Sequence, residues 1–170
     1  QSSLYGSAEA RGSGQPSGIS LITGVNEVDL ASTTLTQYDE FLEAWQLVLE
    51  DSGNPNAYIV TPREAVFLEK LRTLTDGQYL KPPAAIEKLT RYISNKIPVN
   101  LGVGTNEGWA FLGDFSTCLW GIRQSVQIET TTVGGETFDR HQFGVKVTWR
   151  GDFNLERPGF MARLKAITNA

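Results

Sequence analysis

The chain of 170 residues has few of the side chains that usually hold metals or act as nucleophiles, with one cysteine and one histidine. Because Cys118 is the single cysteine, an internal disulfide and a multi-cysteine zinc site are excluded. His141 leaves no two-histidine metal motif, and any Ser-His-Asp group would have to be built around it. Cys118 is expected to be a small buried hydrophobe rather than a nucleophile, and His141 to have a structural or surface role, with a catalytic or interface role as the alternatives. No catalytic residue, metal site or cofactor is predicted.

Long apolar runs and an excess of positive charge are also missing. No stretch approaches the ~20 apolar residues of a membrane helix, and no signal-peptide pattern is present. The 15 Lys and Arg residues against 19 Asp and Glu residues give a formal charge of -4, without a long run of either sign. This argues against a nucleic-acid surface built on counterion release and predicts a soluble chain with no membrane partner. The first residue is Gln1 rather than Met, which predicts processing or truncation.

What the chain does have is enough apolar and aromatic material for a core. Hydrophobic residues make up 40% of the chain and charged residues 20%, with four Trp, five Tyr and eight Phe. A chain of this length buries about 70% of the surface that it exposes when unfolded. The composition is therefore globular, apart from residues 6–18, whose Gly, Ser and Pro without apolar periodicity predict a loop or linker.

The first half of the chain predicts helices packed on a sheet. Apolar residues at helical spacing predict a helix within residues 36–53, with Thr36 as a plausible N-cap and Gly53 as its stop. A short strand is predicted at 57–60. Strand and helix in such close succession favour a layered fold over a helical bundle.

A second helix follows that strand directly. Thr61, Pro62 and Glu64 form a capping-box pattern with proline at the first helical position, and the pair at 76–77 (Asp-Gly) is predicted to end the helix. A shorter third helix is predicted over residues 84–95. Its apolar face would consist of Ile86, Leu89 and Ile93.

The second half predicts strands. Apolar and polar residues alternate over 122–130 and again over 143–150, with a turn containing two glycines between them. The pattern predicts a long antiparallel hairpin with one buried face. A last alternating segment, 160–167, follows a Pro-Gly pair.

Two aspartates in repeated Gly-Asp-Phe triplets, Asp114 and Asp152, raise the question of paired catalytic carboxylates. The segments after the two triplets share no hydrophobic pattern, so the triplets are not an internal repeat. An aspartate in the position of Asp114 can accept hydrogen bonds from backbone N–H groups two or three residues further on. Asp114 is therefore predicted to cap a turn, with a catalytic carboxylate as the alternative.

Other short motifs favour ordinary structural interpretations. The segment "GVGTNEG" at 102–108 lacks the Lys-Ser/Thr ending of a phosphate loop and predicts a loop only. The tripeptide "RGD" at 150–152 belongs to a strand pattern rather than to an adhesion site. Core or interface positions are favoured for the four tryptophans over stacking on bases or sugars. They are Trp45, Trp109, Trp120 and Trp149.

Five motifs in order resemble the carboxy-terminal half of the tailed-bacteriophage major capsid protein family, the Hong Kong ninety-seven type of shell protein. They are "GSGQPSGI", "AYIVTPREAVFLEKLRTLTDGQYLKPP", "KIPV", "FLGDFSTCLWGIRQSVQIE" and "FDRHQFGVKVTWRGDFNLERPGF". The resemblance covers about 160 residues and implies an α+β fold. In such a fold an axial domain of sheet and packed helices, with a long antiparallel hairpin, is joined to a peripheral domain.

Mapped onto this chain, the resemblance implies three segments. Residues 1–19 would be a remnant of the peripheral domain and a linker, 20–150 the axial domain, and 151–170 the return strand to the peripheral domain. Some family members weld their shells by a Lys-Asn isopeptide bond that a Glu promotes. Here the corresponding positions fall near His141 and Thr148, so no such cross-link is expected.

The predicted function is that of a major capsid subunit that self-assembles into capsomers around phage or prophage DNA. The resemblance implies pentamers and hexamers when the protein is full length, together with scaffold, maturation protease and portal partners and DNA contacts without sequence specificity. The location would be the virion, and the host cytoplasm during assembly. An encapsulin-type nanocompartment subunit is the first alternative. A small carbohydrate-binding or hydrolase domain is the other, with Trp109, Trp120, Asp114 and His141 as its site.

Overall fold

The computed structural model describes residues 18–73, 76–131 and 143–168, so that His141 lies outside the described residues. The helices of the described chain are α1 (Asp39–Glu50), α2 (Pro62–Lys70) and α3 (Ala84–Glu87). The strands are β1 (Asn26–Thr34), β2 (Ala57–Val60), β3 (Thr90–Ile93), β4 (Glu107–Gly113), β5 (Cys118–Thr131), β6 (Gly144–Leu155) and β7 (Met161–Thr168). The predicted α+β class is confirmed.

Five of these strands form one mixed sheet in the order β1-β7-β4-β2-β3. The outer pairs, β1 with β7 and β2 with β3, are parallel, whereas β4 is antiparallel to both of its neighbours. Helices α1 and α2 cover one face of the sheet, because their apolar stripes and the alternate residues of the strands join in a single core. Fully buried members of this core include Phe41, Val48, Val60, Leu112 and Leu164.

Strand β7 lies inside the sheet, between β1 and β4. It belongs to residues 151–170, which were predicted to return to a peripheral domain, and its Leu164 pairs with Val28 on one side and with Ala110 on the other. All three of these side chains are buried in the same core. The last strand thus completes the sheet that residues 26–113 begin.

Helix α1 forms where the apolar periodicity predicts it, but it begins later than expected. Tyr38, not Thr36, precedes its first helical residue, and no side chain caps that end. At the other end the N–H of Gly53 donates to the carbonyl of Val48 at 2.9 Å, and the N–H of Ser52 donates to that of Leu49 at 2.8 Å. This is the Schellman pattern, with Ser52 at φ +66° in the left-handed position.

Helix α2 begins as predicted and ends earlier. The hydroxyl of Thr61 accepts from the backbone N–H of Glu64 at 3.4 Å, with proline in the first helical turn. The helix stops at Lys70 rather than at Asp76-Gly77. The chain there doubles back, with the N–H of Leu80 donating to the carbonyl of Leu71 at 2.8 Å.

The third predicted helix is correct only for its first turn, α3. Residues 90–93 instead form β3, which pairs in parallel with β2 so that Ile93 lies beside Val60. Ile86 and Leu89 of the predicted apolar face are buried, but Ile93 is exposed at the edge of the sheet. The aromatic and β-branched residues Tyr92 and Ile93 suit a strand, and pairing with β2 decides the conformation.

Candidate assembly surface

Among the described strands, β5 and β6 pair only with each other and form a two-stranded antiparallel ribbon, which we call the arm. The predicted hairpin is therefore confirmed, and it is longer than expected at its inner end. The pairing is interrupted by irregularities between Ile122 and Gln127. A ribbon of two strands is only marginally stable in water unless something covers it.

The root of the arm is fixed to the second face of the sheet. Phe153 and Leu155 of β6 are buried together with Phe111 of β4 and Met161 of β7. Ile19, in a 3₁₀ turn ahead of β1, closes this second core from the other side. The inner end of the arm is thus part of the folded body, and the strands run outward from it.

One face of the arm is apolar and exposed. Cross-strand pairing places Trp120 opposite Phe153 and Ile128 opposite Val147. Trp120 and Trp149 stack with ring centroids 5.8 Å apart, which puts both rings on this face. We define the apolar face of the arm by six exposed residues. They are Trp120, Ile122, Ile128, Val145, Val147 and Trp149.

The expectation that this face is buried is wrong for the described chain. Ile128 is 67% exposed, Val147 63% and Trp120 47%. Large contiguous apolar surface on a folded domain usually marks a surface that another element covers. The alternation of the sequence predicted the strands correctly, but the element that would bury them is not among the described residues.

The opposite face of the arm is polar. Gln127 pairs across from Thr148, and Glu129 pairs across from Lys146, whose ammonium lies 3.5 Å from the Glu129 carboxylate. Side chains of adjacent residues in a strand point to opposite faces, so the arm is amphipathic across its thickness. Such a ribbon can bury one face and leave the other in water.

Asp114 joins β4 to the arm through a capped 3₁₀ turn. Its Oδ1 accepts from the backbone N–H of Ser116 at 3.0 Å, from the Ser116 hydroxyl at 2.5 Å and from the Asn56 amide at 3.0 Å. Asn56 in turn accepts from the N–H of Phe115 at 3.1 Å. The predicted cap is confirmed, and it fixes the direction in which the chain enters β5.

Substituting Asp114 distinguishes a cap from a catalytic acid. Asp114→Ala is expected to lower the free energy of unfolding by about 1–2 kcal/mol, because the turn loses its acceptor. Asp114→Asn keeps the acceptor oxygen and removes the charge, so it should retain most of the wild-type stability. Urea denaturation of the three proteins gives the comparison. Equal losses from both substitutions would contradict the cap.

Comparison with known proteins decides what kind of chain carries this arm. The sequence model of the phage capsid family matches residues 6–165. The chain belongs to the phage capsid family. Both the predicted family and the predicted capsid fold are confirmed. No curated protein matches this capsid chain significantly.

Solved structures of similar fold support this assignment. A chain of Mycobacterium phage Ogopogo has 23% identity and a TM-score of 0.65, with 96% of the capsid chain and 59% of that chain covered. The capsid of an empty GTA particle has 11% identity and a TM-score of 0.68, with 98% of the capsid chain and 60% of that chain covered. A chain of an encapsulin complex from Synechococcus elongatus has 12% identity and a TM-score of 0.57, with 89% of the capsid chain and 57% of that chain covered. The capsid chain thus spans about three fifths of the length of the chains that it matches.

Cys118 opens the arm of the capsid chain as a small, half-buried side chain beside the second core. Burial, with a smaller contribution from the nearby Asp114 carboxylate, raises the pKa of its thiol to about 11. A thiol with so high a pKa holds almost no thiolate at neutral pH and is a poor nucleophile. This agrees with the predicted structural role.

The rate of alkylation measures the low reactivity of the Cys118 thiol directly. The reaction of Cys118 with iodoacetamide at pH 7.5 is expected to be at least about 100-fold slower than that of a free cysteine, because a pKa raised by about two units leaves about 100-fold less thiolate. The rate should approach that of a free cysteine after unfolding in urea. A native rate within a few fold of the free thiol would contradict the burial of this side chain.

The remaining candidate residues that the structure describes do not converge on one site. Trp45 packs against the first core, and Trp109 packs against the second core beneath the Arg163 guanidinium, 4.8 Å from its ring. Asp152 lies on β6 and accepts from the N–H of Phe153 at 2.8 Å. Residues 102–106 form the predicted loop ahead of β4. No helix of the described chain is long and apolar enough to cross a membrane.

Proposed function

We propose that the capsid chain is a major capsid subunit whose arm is buried by the shell protein itself in the assembled particle. The exposed apolar face of the arm carries this proposal. Trp120, Ile128 and Val147 are too exposed to stabilise an isolated chain, yet they lie on a ribbon rooted in a well-packed core. Burying a fully exposed side chain of this size contributes about 1.5–3 kcal/mol, so covering the part of each that is still exposed favours association.

In the same proposal the axial domain consists of the five-stranded sheet with α1 and α2. Because β7 is a strand of this sheet, it belongs to the axial domain as well. The arm is the element that reaches toward the peripheral part of the shell. The partners are further copies of the protein, arranged as pentamers and hexamers, and packaged phage DNA held without sequence-specific contacts. Scaffold, maturation protease and portal proteins belong to the proposed assembly, which takes place in the host cytoplasm and ends in the virion. No enzymatic activity is proposed.

Electron microscopy of the full-length protein expressed alone tests this function. Closed shells or flat capsomers are the expected result. A uniform monomer over a range of protein concentrations would contradict it. Shells filled with protein cargo instead of nucleic acid, when purified from cells, would favour the encapsulin-type alternative.

A further inference from the structure

Two consecutive segments of the chain carry opposite charge. Residues 18–60 contain seven Asp and Glu and no Lys or Arg, whereas residues 61–97 contain seven Lys and Arg and four Asp and Glu. The first segment supplies β1 and α1, and the second supplies α2, α3 and β3. Strands β1 and β3 are the two edges of the sheet, and α1 and α3 contact each other across its helical face.

The acidic side is concentrated on α1, over β1 and β7. We call it the acidic surface, and it consists of Asp39, Glu40, Glu43, Glu50 and Asp51. Acids in the first turn of a helix are stabilised by the helix dipole, which accounts for Asp39 and Glu40. Glu50 and Asp51 stand at the other end, where the dipole disfavours negative charge and the last turn holds no basic residue. Glu50 accepts from the Gln46 amide at 2.7 Å and Asp51 accepts from the Asn26 amide at 2.8 Å, but neither has a cation beside it among the described residues.

The acids of β1 differ from those of α1 because the fold neutralises them. The Lys165 ammonium lies 3.1 Å from the Glu27 carboxylate and 3.2 Å from that of Asp29, and Arg163 also pairs with Glu27. Among the described residues no such cation lies against the acids of α1. The exposed carboxylates of Asp39, Glu43 and Glu50 remain available to a neighbouring molecule.

The basic residues extend from the end of α2 to the segment after β3, and Lys70 and Arg72 lie beside residues 34–37, between β1 and α1. We call them the basic surface, which consists of the exposed residues Lys70, Arg72, Lys81, Lys88, Arg91 and Lys96. Arg91 pairs with Glu69 at 2.6 Å, and Arg72 lies 4.5 Å from the Tyr79 ring. Within the described chain, no ion pair involves the lysines at 81, 88 and 96. Beside them Tyr92 and Ile93 are exposed, so the surface combines positive charge with apolar area.

We infer that the acidic surface of one copy binds the basic surface of the next copy. This inference rests on the proposed shell function and names the lateral contact of its capsomers. A contact between two different surfaces is head-to-tail, so every copy repeats it, and it forms a ring where the rotation between copies closes. A two-fold contact through either surface would place like charges together, which disfavours it.

Side chains, not a continuous β-sheet, make this contact. Strand β1 is a poor edge for pairing, because its register shifts between Asp29 and Thr33 and because Ala31 and Ser32 have positive φ. Irregularities of this kind prevent edge-to-edge association. The contact is therefore expected to depend on salt, since exposed charge pairs are screened over about 8–10 Å at ordinary ionic strength.

Charge reversal tests the inference with three variants of this chain, Glu43→Lys, Lys88→Glu and the control Glu156→Lys. The control makes the same change as the first variant at an exposed residue outside both surfaces. Sedimentation equilibrium over a concentration series measures self-association. Each of the first two substitutions is expected to weaken it by about tenfold, and the control by less than about twofold.

Mixing the two charge-reversed chains tests whether their surfaces bind each other. An equimolar mixture of Glu43→Lys and Lys88→Glu chains should associate as wild type does, because each reversed surface then meets its complement. Raising NaCl from 50 to 500 mM should weaken wild-type association by about tenfold or more. The inference is overturned if the wild-type chain stays monomeric at all concentrations, if association is independent of salt, or if mixing restores nothing.

These outcomes are separable from failure of the shell function. Particles that form normally from full-length protein carrying Glu43→Lys or Lys88→Glu would overturn the lateral contact and leave the shell function standing. Absence of any particle from the wild-type full-length protein would count against the shell function.

Discussion

Replacing Phe111 by alanine is expected to lower the free energy of unfolding by about 3–5 kcal/mol, the usual cost of removing a fully buried aromatic ring. Phe111 belongs to β4 and is 0% exposed. Its ring packs in the second core with Met161 and with Phe153 at the root of the arm. The substitution leaves a cavity at the joint between sheet and arm. Because both sides of the joint are held by hydrogen-bonded strands, the cavity cannot close fully.

Phe143→Ala is the matched control, since it removes the same ring from a residue that is 69% exposed. A change of less than about 0.5 kcal/mol is expected there. Urea denaturation followed by circular dichroism measures both. A loss of under about 1 kcal/mol for Phe111→Ala would show that the second core contributes little and that the arm is not anchored as described.

Introducing charge on the apolar face of the arm is expected to abolish particle formation by the full-length protein. Ile128→Asp combined with Val147→Asp places two carboxylates at a cross-strand pair of this face. Each would have to be desolvated in the shell at a cost of several kcal/mol, so particle yield should fall by at least about 100-fold. The unfolding free energy of the 170-residue chain should fall by no more than about 1 kcal/mol, from repulsion between the two carboxylates, because both side chains are exposed in it.

Gln127→Asp combined with Thr148→Asp is the control, because it places the same two carboxylates at the neighbouring pair on the polar face. It carries the same cross-strand repulsion and the same change in net charge. Particles should form in nearly normal yield, as counted by sedimentation and electron microscopy. Equal losses for the two double variants would show that charge on the arm, and not burial of one face, prevents assembly.

The sequence was most informative where local physics decides the structure. The capping pattern at Thr61, the turn cap at Asp114 and the alternation of β5 and β6 each depend on residues near in sequence, and each is confirmed. A prediction was wrong where pairing with a strand distant in sequence decides the backbone conformation. Residues 90–93 follow a helical pattern but pair with β2.

The assembly surface was predictable only in part. Alternation shows that one side of each arm strand is apolar, but the pattern is identical whether the fold or another molecule covers that side. The charge division at residue 60 was visible in the sequence as an absence of Lys and Arg from 18–60. The sequence does not show that β1 and β3 form opposite edges of the sheet, which only the strand order reveals.

Hydroxyl-radical labelling of the arm, read by mass spectrometry, tests the central claim most directly. Trp120 and Trp149 on the apolar face are 47% and 42% exposed in the chain described here, and Leu119 on the opposite face is 51% exposed. In assembled particles the labelling of both tryptophans should fall at least about tenfold relative to the 170-residue chain, with Leu119 as the reference. Tryptophans that label equally in particles and in the isolated chain would contradict burial of the arm in the shell.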